Sequence, residues 1–324
     1  MDKKINIFCT LGPSSLNKKF LKFAKGKVAL FRINLSHTKI SKLKKVIIFI
    51  KKNSNIPICI DTEGAQIRTR VKKNAYYKVN KKFKIHLNKG NFNIYPSKVF
   101  KNLKIKDKLD IGFKGLSAEI IKVKKNHLLL KTTSAGALEK NQGVHLKNRP
   151  IKLNFLTKKD LISIKIAKEL KIKNFALSFT NSVNDIRRFK NIFPTERKIY
   201  KIETKQAVKN INKLIKNGEE FLIDRGDLSK ETSVEDIPLI QRNIFKTSDR
   251  YINKKIYIAT NFLESMILNK YPTRGEANDI FNSLEMGASG LVLAAETAIG
   301  KFPSEAVVFL KKVINKFLKH KNKL

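Results

Sequence analysis

A chain of 324 residues with 42% hydrophobic residues is long enough to bury a large core and too apolar for wholesale disorder. The balance of 69 Lys and Arg against 26 Asp and Glu gives a formal charge of +43, which first suggests a polyanionic partner. No run approaches the roughly 18 apolar residues that cross a bilayer, so a membrane span is excluded, and the first residues carry no apolar stretch ending in a small-residue cleavage site.

Taken in chain order, short β-rich apolar runs alternate with helical patterns. Strands are expected at Ile5–Thr10, Val28–Ile33 and Ile56–Asp61, with a helix at Ser41–Lys52. From about Ile67 to Leu146 the pattern changes to short alternating strands. These are Tyr76–Val79, Phe83–Leu87, Phe92–Tyr95, Leu109–Phe113, Ala118–Val123, His127–Thr132 and Val144–Leu146, joined by turns rich in Gly and Asn. The alternation then resumes with helix Lys158–Leu170, strand Asn174–Phe179, helix Ser182–Asn191, strand Lys198–Glu203 and helix Lys205–Asn217. It continues with strand Glu220–Asp224, helix Leu239–Ser248, strand Lys255–Thr260, helix Glu276–Met286 and strand Ser289–Ala294. A last helix at Ser304–Leu318 has Pro303 in its first turn, where the missing N–H costs nothing.

Strands that alternate with helices pair in parallel through crossover connections. Eight such strands point to the α/β class and a (β/α)8 TIM barrel, with an open doubly wound sheet as the alternative. The barrel is expected over residues 1–66 and 148–324, and an inserted all-β lid domain over residues 67–147. The insert leaves the C-terminal end of strand three, the face where barrel enzymes keep their sites. It reads either as a lid or as passive decoration.

The charge is spread over the whole chain, with no tail or block, and aromatic residues do not interleave with it as in a stacking surface. It therefore reads first as a solvated surface, and a nucleic-acid partner is not expected. A polyanion role and attraction of acidic small substrates remain as alternatives. Only 11 of the 69 cations are Arg, so Arg marks positions that need a planar, forked cation. Cys9 and Cys59 sit in apolar runs and read as reduced, buried thiols of a cytoplasmic protein.

Polar groups gather at the strand ends. Strand two ends in Arg32-Ile33-Asn34-Leu35-Ser36-His37, and strand three in Asp61-Thr62-Glu63-Gly64 with Arg68 beyond. Strand five ends in Lys201-Ile202-Glu203, and strand six in Asp224-Arg225-Gly226-Asp227. Strands seven and eight end in Thr260-Asn261 and Ala295-Glu296-Thr297. In a barrel these ends share one mouth, which suits a divalent metal on oxygen ligands and a phosphorylated substrate on cations. Each has a plainer reading: Lys201 and Glu203 as an ion pair on one strand face, Asp224–Asp227 as a turn with a helix cap, His37 as a loop residue. His86, His127, His145 and His320 lack metal-ligand spacing, so zinc is not expected. No Walker loop, dinucleotide fingerprint or nucleophile elbow is present.

At these residues the chain resembles the pyruvate kinase family. Cys9-Thr10-Leu11-Gly12-Pro13-Ser14-Ser15 resembles its opening strand and turn, Arg32–His37 its strand-two motif, and Asp61–Thr69 the segment leading into its lid domain. Lys201–Glu203, Arg225–Leu228, Ala259–Met266, Pro272–Glu276 and Glu296–Ala298 follow in the family's order, and the match runs from about residue 4 to residue 315. The resemblance implies phosphoryl transfer from phosphoenolpyruvate to ADP, a glycolytic step. It implies Mg2+ or Mn2+ on Glu203 and Asp227, and a K+ site formed by Asn34, Ser36, Asp61 and Thr62. Lys201 would face the transferring phosphoryl and the enolate oxygen, and Arg32 would contact the phosphoryl. Thr260 with the Gly226–Asp227 backbone would hold the substrate carboxylate, with Thr260 near the proton path, and Glu296 joins Lys201, Arg32 and Thr260 in the catalytic set. His37, Arg68 and Asn34 would lie on the nucleotide side.

The chain departs from the family pattern at several places. Glu63 stands where the family usually has lysine, Gln66 where it often has the glutamate tied to potassium dependence, and Thr204 where it has asparagine. Ala294–Gly300 lacks the serine before the glutamate and the lysine after it, and Asn141-Gln142 replace paired lysines. The C-terminal regulatory domain that usually follows the barrel is expected to be absent, and both a monomer and a homo-oligomer fit what remains. Besides a minimal, non-allosteric pyruvate kinase, two readings stay open: a related enzyme with another acceptor or with 2-oxo acid lyase chemistry, and a non-catalytic paralogue.

Overall fold

The computed structural model describes residues 4–64, 66–112, 115–149, 151 and 153–322. Phe113 of the expected strand Leu109–Phe113 and Ala65 of the Asp61–Thr69 motif lie outside the described residues, as do residues 1–3. Two compact units emerge, one of residues 1–64 and 155–324 and one of residues 65–154.

The first unit is a closed barrel of eight strands. They are Asn6–Thr10, Leu30–Asn34, Ile58–Asp61, Asn174–Leu177, Arg197–Ile202, Glu220–Asp224, Lys255–Ala259 and Gly290–Leu293. Each pairs in parallel with its neighbours in chain order, and the last closes on the first with Asn6 opposite Gly290. The expected (β/α)8 architecture is therefore the observed one.

Period-two alternation decides which side chains enter the barrel. Phe8, Leu30, Cys59, Ala176, Ile199, Leu222, Tyr257, Ala259 and Val292 form one cluster, with every strand contributing. The intervening strand residues, such as Ile7, Cys9, Phe31, Ile60, Tyr200 and Ile223, pack outward with the helices in a separate and larger core. Below the inner cluster, the Arg197 guanidinium donates to Glu220 at 2.7 and 2.9 Å and to the Tyr257 hydroxyl at 2.8 Å. That half-buried polar knot lies at the N-terminal end of the barrel.

Three of the helices start at reciprocal side-chain caps. Thr157 with Asp160, Ser182 with Asp185, and Thr273 with Glu276 each form a reciprocal capping box, which satisfies two otherwise orphaned N–H groups. These boxes open helices Lys158–Glu169, Val183–Ile192 and Arg274–Glu285. Expected helix Lys205–Asn217 is two short helices, Lys205–Lys209 and Ile211–Asn217, broken at Asn210. A helix at Lys18–Phe23, absent from the sequence expectations, joins strands one and two. It has six residues, too few to show a period, and only its Asn17 cap marks it.

The second unit is all-β. Seven strands close a small barrel, and a further two-stranded sheet pairs Ala75–Tyr77 with Gly136–Leu138. Two of its strands, Ile67–Val71 and Gly136–Leu138, were not among those expected. Its core holds Phe83, Ile85, Phe92, Ile94, Leu109, Ile111, Ile120, Leu128 and Leu130. Among the described residues no helix is long and apolar enough to cross a membrane.

Candidate active site

Continuing the inward alternation one step past the apolar cluster gives the residues at the C-terminal mouth. Two positions after Leu30 comes Arg32, after Cys59 Asp61, after Ile199 Lys201, and after Leu222 Asp224. Glu203 continues the same face of strand five. An ordinary strand pattern thus places one charged residue of each of four strands, with a fifth beside them, at one level.

These groups meet. The Lys201 ammonium, 3% exposed, lies 2.6 Å from Glu203 Oε1, 3.2 Å from Asp224 Oδ2 and 3.4 Å from Asp61 Oδ2. Arg32 Nη1 lies 3.4 Å from the same Asp61 oxygen, while its Nε donates to Thr10 Oγ1 at 3.0 Å. Burial opposes the charge on Lys201, but Asp61, Glu203 and Asp224 outweigh it and raise its pKa. The same contest, led on the favourable side by Asp61 and Asp224, raises Arg32. Both cations therefore stay charged throughout the physiological range. Burial pushes the Glu203 carboxyl up to about 8; Lys201 opposes this, and Asp227, Asp224 and Asp61 add to it.

Strand four supplies a support that the sequence did not flag. Ser178 N donates to Thr62 Oγ1 at 2.9 Å, and its hydroxyl donates to the Thr62 carbonyl at 2.7 Å. The next residue, Phe179, has φ +54°, which is costly for a bulky side chain. That twist lets its N–H donate to Glu203 Oε2 at 2.6 Å. Gly64 sits against this turn at φ +70°, where a Cβ would stand 2.7 Å from the Ser178 Cβ and 2.8 Å from Phe179 Cδ2. A glycine is needed there on both counts. Asp160 holds strand three's end from the other side: its carboxylate accepts from Glu63 N at 2.7 Å, Gly64 N at 3.2 Å and Thr157 N at 2.8 Å.

Strands six and seven carry a second group. Thr260 stands at φ +73° and Asn261 at +60°. The Arg225 guanidinium grips the Thr260 carbonyl at 2.6 and 3.1 Å and pairs with Asp279 at 2.8 Å. Gly226 N donates to Thr260 Oγ1 at 2.8 Å. Asp227 pairs with Lys230 one helical turn on. Glu296, 1% exposed, accepts from Leu263 N at 3.2 Å and Ala294 N at 2.7 Å. Both of its oxygens thus brace backbone at the ends of strands seven and eight.

The remaining expected residues are placed as follows. Asn34 and Asp61 are register partners on strands two and three, and Asn34 Oδ1 accepts from Ser36 N at 2.8 Å. His37 is exposed on the loop after strand two, and Arg68 belongs to the second unit, where it donates to the Asn141 carbonyl at 3.3 Å. Glu63 faces Lys159 at 3.9 Å. Thr204 caps the helix after strand five by accepting from Ala207 N at 3.0 Å. Gln66 lies 3.4 Å from His145 Nε2, and Ile299 is largely exposed.

Glu203, Asp224 and Asp227 bring carboxylate oxygens within 4.8 Å of one another. Buried Glu203 Oε1 makes no hydrogen bond, its close neighbour being the Lys201 ion pair. Clustered oxygen donors with an unsatisfied buried lone pair suit an oxygen-seeking divalent ion such as Mg2+ or Mn2+.

Residues 2–307 match the pyruvate kinase barrel-domain family. The chain belongs to the pyruvate kinase family. It is 35% identical to the pyruvate kinase of Methanocaldococcus jannaschii over 321 residues, covering 97% of this chain and 69% of that protein. It is 31% identical to that of Thermotoga maritima, covering 96% and 70%, and 32% identical to that of Buchnera aphidicola of Schizaphis graminum, covering 96% and 69%. Membership makes this chain a phosphotransferase enzyme of the pyruvate kinase type.

Proposed function

We propose that this chain transfers the phosphoryl group of phosphoenolpyruvate to ADP, forming pyruvate and ATP, with Mg2+ or Mn2+ as its divalent ion and K+ as the monovalent ion. The observation that carries this reading is the meeting of Lys201 with Asp61, Glu203 and Asp224 within 3.4 Å at the barrel mouth, beside Arg32. Two buried cations backed by carboxylates suit a reaction in which negative charge moves between oxygens and little covalent work falls to the protein.

In this reading Glu203 and Asp227 hold the divalent ion, which when bound neutralises charge on the substrate's oxygens. Lys201 faces the transferring phosphoryl and the enolate oxygen, and its raised pKa keeps the ammonium charged throughout turnover. Arg32 offers Nη1, which has no hydrogen bond, to the phosphoryl oxygens. Gly226 N and Thr260 Oγ1, which bond each other at 2.8 Å, turn to the substrate carboxylate. Thr260 lies on the proton path, and Glu296 acts by bracing the loops that carry Thr260 and Ala294. Asn34, Ser36, Asp61 and Thr62 take the monovalent ion, and His37 and Arg68 serve the nucleotide.

The test is an assay of the purified chain with phosphoenolpyruvate, ADP and Mg2+, with and without K+, in which pyruvate is read by coupled NADH oxidation. ADP-dependent pyruvate formation supports the reading. The exposed Ile299, standing where the family carries a lysine, favours a second reading with a different phosphoryl acceptor. Pyruvate formed with another nucleoside diphosphate but not with ADP would select it. No pyruvate under any acceptor, with metal bound, would leave the non-catalytic paralogue.

A further inference from the structure

The buried carboxylates of this barrel fall into two kinds. Asp160 and Glu296, and the half-buried Asp185 and Glu276 with them, each accept at least two backbone N–H bonds. These are structural clasps, with their lone pairs committed to donors. Asp224 differs. It is 5% exposed, yet among the described residues its hydrogen-bond donor is the Thr260 hydroxyl at 3.4 Å. That hydroxyl has one proton and also lies within reach of the Ala259 carbonyl.

The Lys201 ion pair at 3.2 Å does not settle the charge on Asp224 either, because the same ammonium serves Glu203 at 2.6 Å and Asp61 at 3.4 Å. Arg32 accounts for Asp61, and Lys230 for Asp227. Lys201 is then shared between Glu203 and Asp224, and Glu203 Oε1 makes no hydrogen bond beyond that ion pair. A buried charge without its own partner costs several kcal/mol. A divalent ion would meet the shortfall, and the oxygens of Asp224, Glu203 and Asp227 already lie within 4.8 Å of one another.

We propose that Asp224 is a third carboxylate ligand of the divalent ion, beside Glu203 and Asp227. The inference rests on the function proposed above and deepens it. Three protein oxygens leave about three positions of an octahedral ion for water and substrate oxygens. The chain would hold its metal before substrate arrives, because no ligand in this set is borrowed from the substrate.

The experiment is a titration of the intact protein with Mn2+ alone, without substrate or nucleotide, read by the electron paramagnetic resonance of free Mn2+ and by calorimetry. Wild type, Asp224→Asn, Asp224→Glu and Glu203→Gln are compared, and a metal-free melting curve of each confirms folding. Asp224→Asn and Glu203→Gln are each expected to raise the Kd for Mn2+ by about tenfold or more, with Asp224→Glu recovering part of the loss. If Glu203→Gln weakens Mn2+ binding and Asp224→Asn leaves it at the wild-type value, Asp224 is only an ion-pair partner of Lys201 and the inference is overturned. If neither substitution changes Mn2+ binding, the metal centre of the proposed function itself fails.

Discussion

Replacing Lys201 by Met tests the charge arrangement at its centre. Methionine keeps the length and the apolar stem of the side chain and removes the ammonium. Three carboxylate oxygens now 2.6, 3.2 and 3.4 Å from that nitrogen would face one another, with Arg32 still beside Asp61. Removing one partner of a buried pair costs about 3–5 kcal/mol. At roughly 2 °C per kcal/mol for a large domain, the metal-free variant should melt about 6–10 °C below wild type. Catalysis loses a preorganised cation as well, worth about 3 kcal/mol or a hundredfold in kcat. Because Glu203 and Asp227 remain, Mn2+ should still bind, and saturating metal should raise the melting temperature of the variant more than that of wild type. The assays are coupled pyruvate release, thermal unfolding with and without Mg2+, and Mn2+ calorimetry. Near-normal turnover, or a metal-free melting temperature equal to wild type, would refute the reasoning.

Other substitutions and conditions separate the remaining contributions. The Glu203 carboxyl, raised by burial to about 8, binds its proton more tightly in the folded than in the unfolded chain. Stability of the metal-free protein should therefore fall as pH rises from about 4.5 to about 8. Saturating Mg2+ should flatten that slope, and a melting series across this window with and without Mg2+ checks it. Arg225→Met removes the fork that holds the Thr260 carbonyl at 2.6 and 3.1 Å. It should lower kcat about tenfold or more, and in a Thr260→Ala background the same change should cost much less; equal costs in both backgrounds would show that Arg225 does not act through Thr260. Asp160→Ala leaves the N–H groups of Thr157, Glu63 and Gly64 without their acceptor and should destabilise the fold by about 3 kcal/mol or more, measured by urea unfolding.

The barrel was legible because its strands are buried on both faces, so each reads as a short apolar run bounded by polar residues. The helix Lys18–Phe23 was not, since six residues cannot display a helical period. In the insert, Ile67–Val71 was missed because two arginines interrupt it and Gly136–Leu138 because it has three residues. At the site, Arg32, Asp61, Lys201 and Glu203 announced themselves as charges placed where apolar residues should continue. Ser178, Phe179 and Asp160 gave no such signal. Phe179 acts through its backbone N–H, Ser178 through its backbone N–H and a short hydroxyl common in any loop, and Asp160 looks like an ordinary capping residue. Its reach to Glu63 N, across 97 positions of sequence, exists only once the chain has folded. Asp224 was visible at the end of strand six, but nothing local shows that its carboxylate comes within 4.8 Å of those of Glu203 and Asp227.

The alternation that brings Arg32, Asp61, Lys201 and Asp224 to one level also limits how this enzyme can change. A single-residue deletion within strand five would rotate Lys201 and Glu203 out among the helices and swing Tyr200 and Ile202 into the lumen. A length change inside the staves therefore keeps the inward set only in steps of two, a constraint that the loops and the lysine-covered exterior do not share. The mouth can thus stay constant while the surface around it is rewritten.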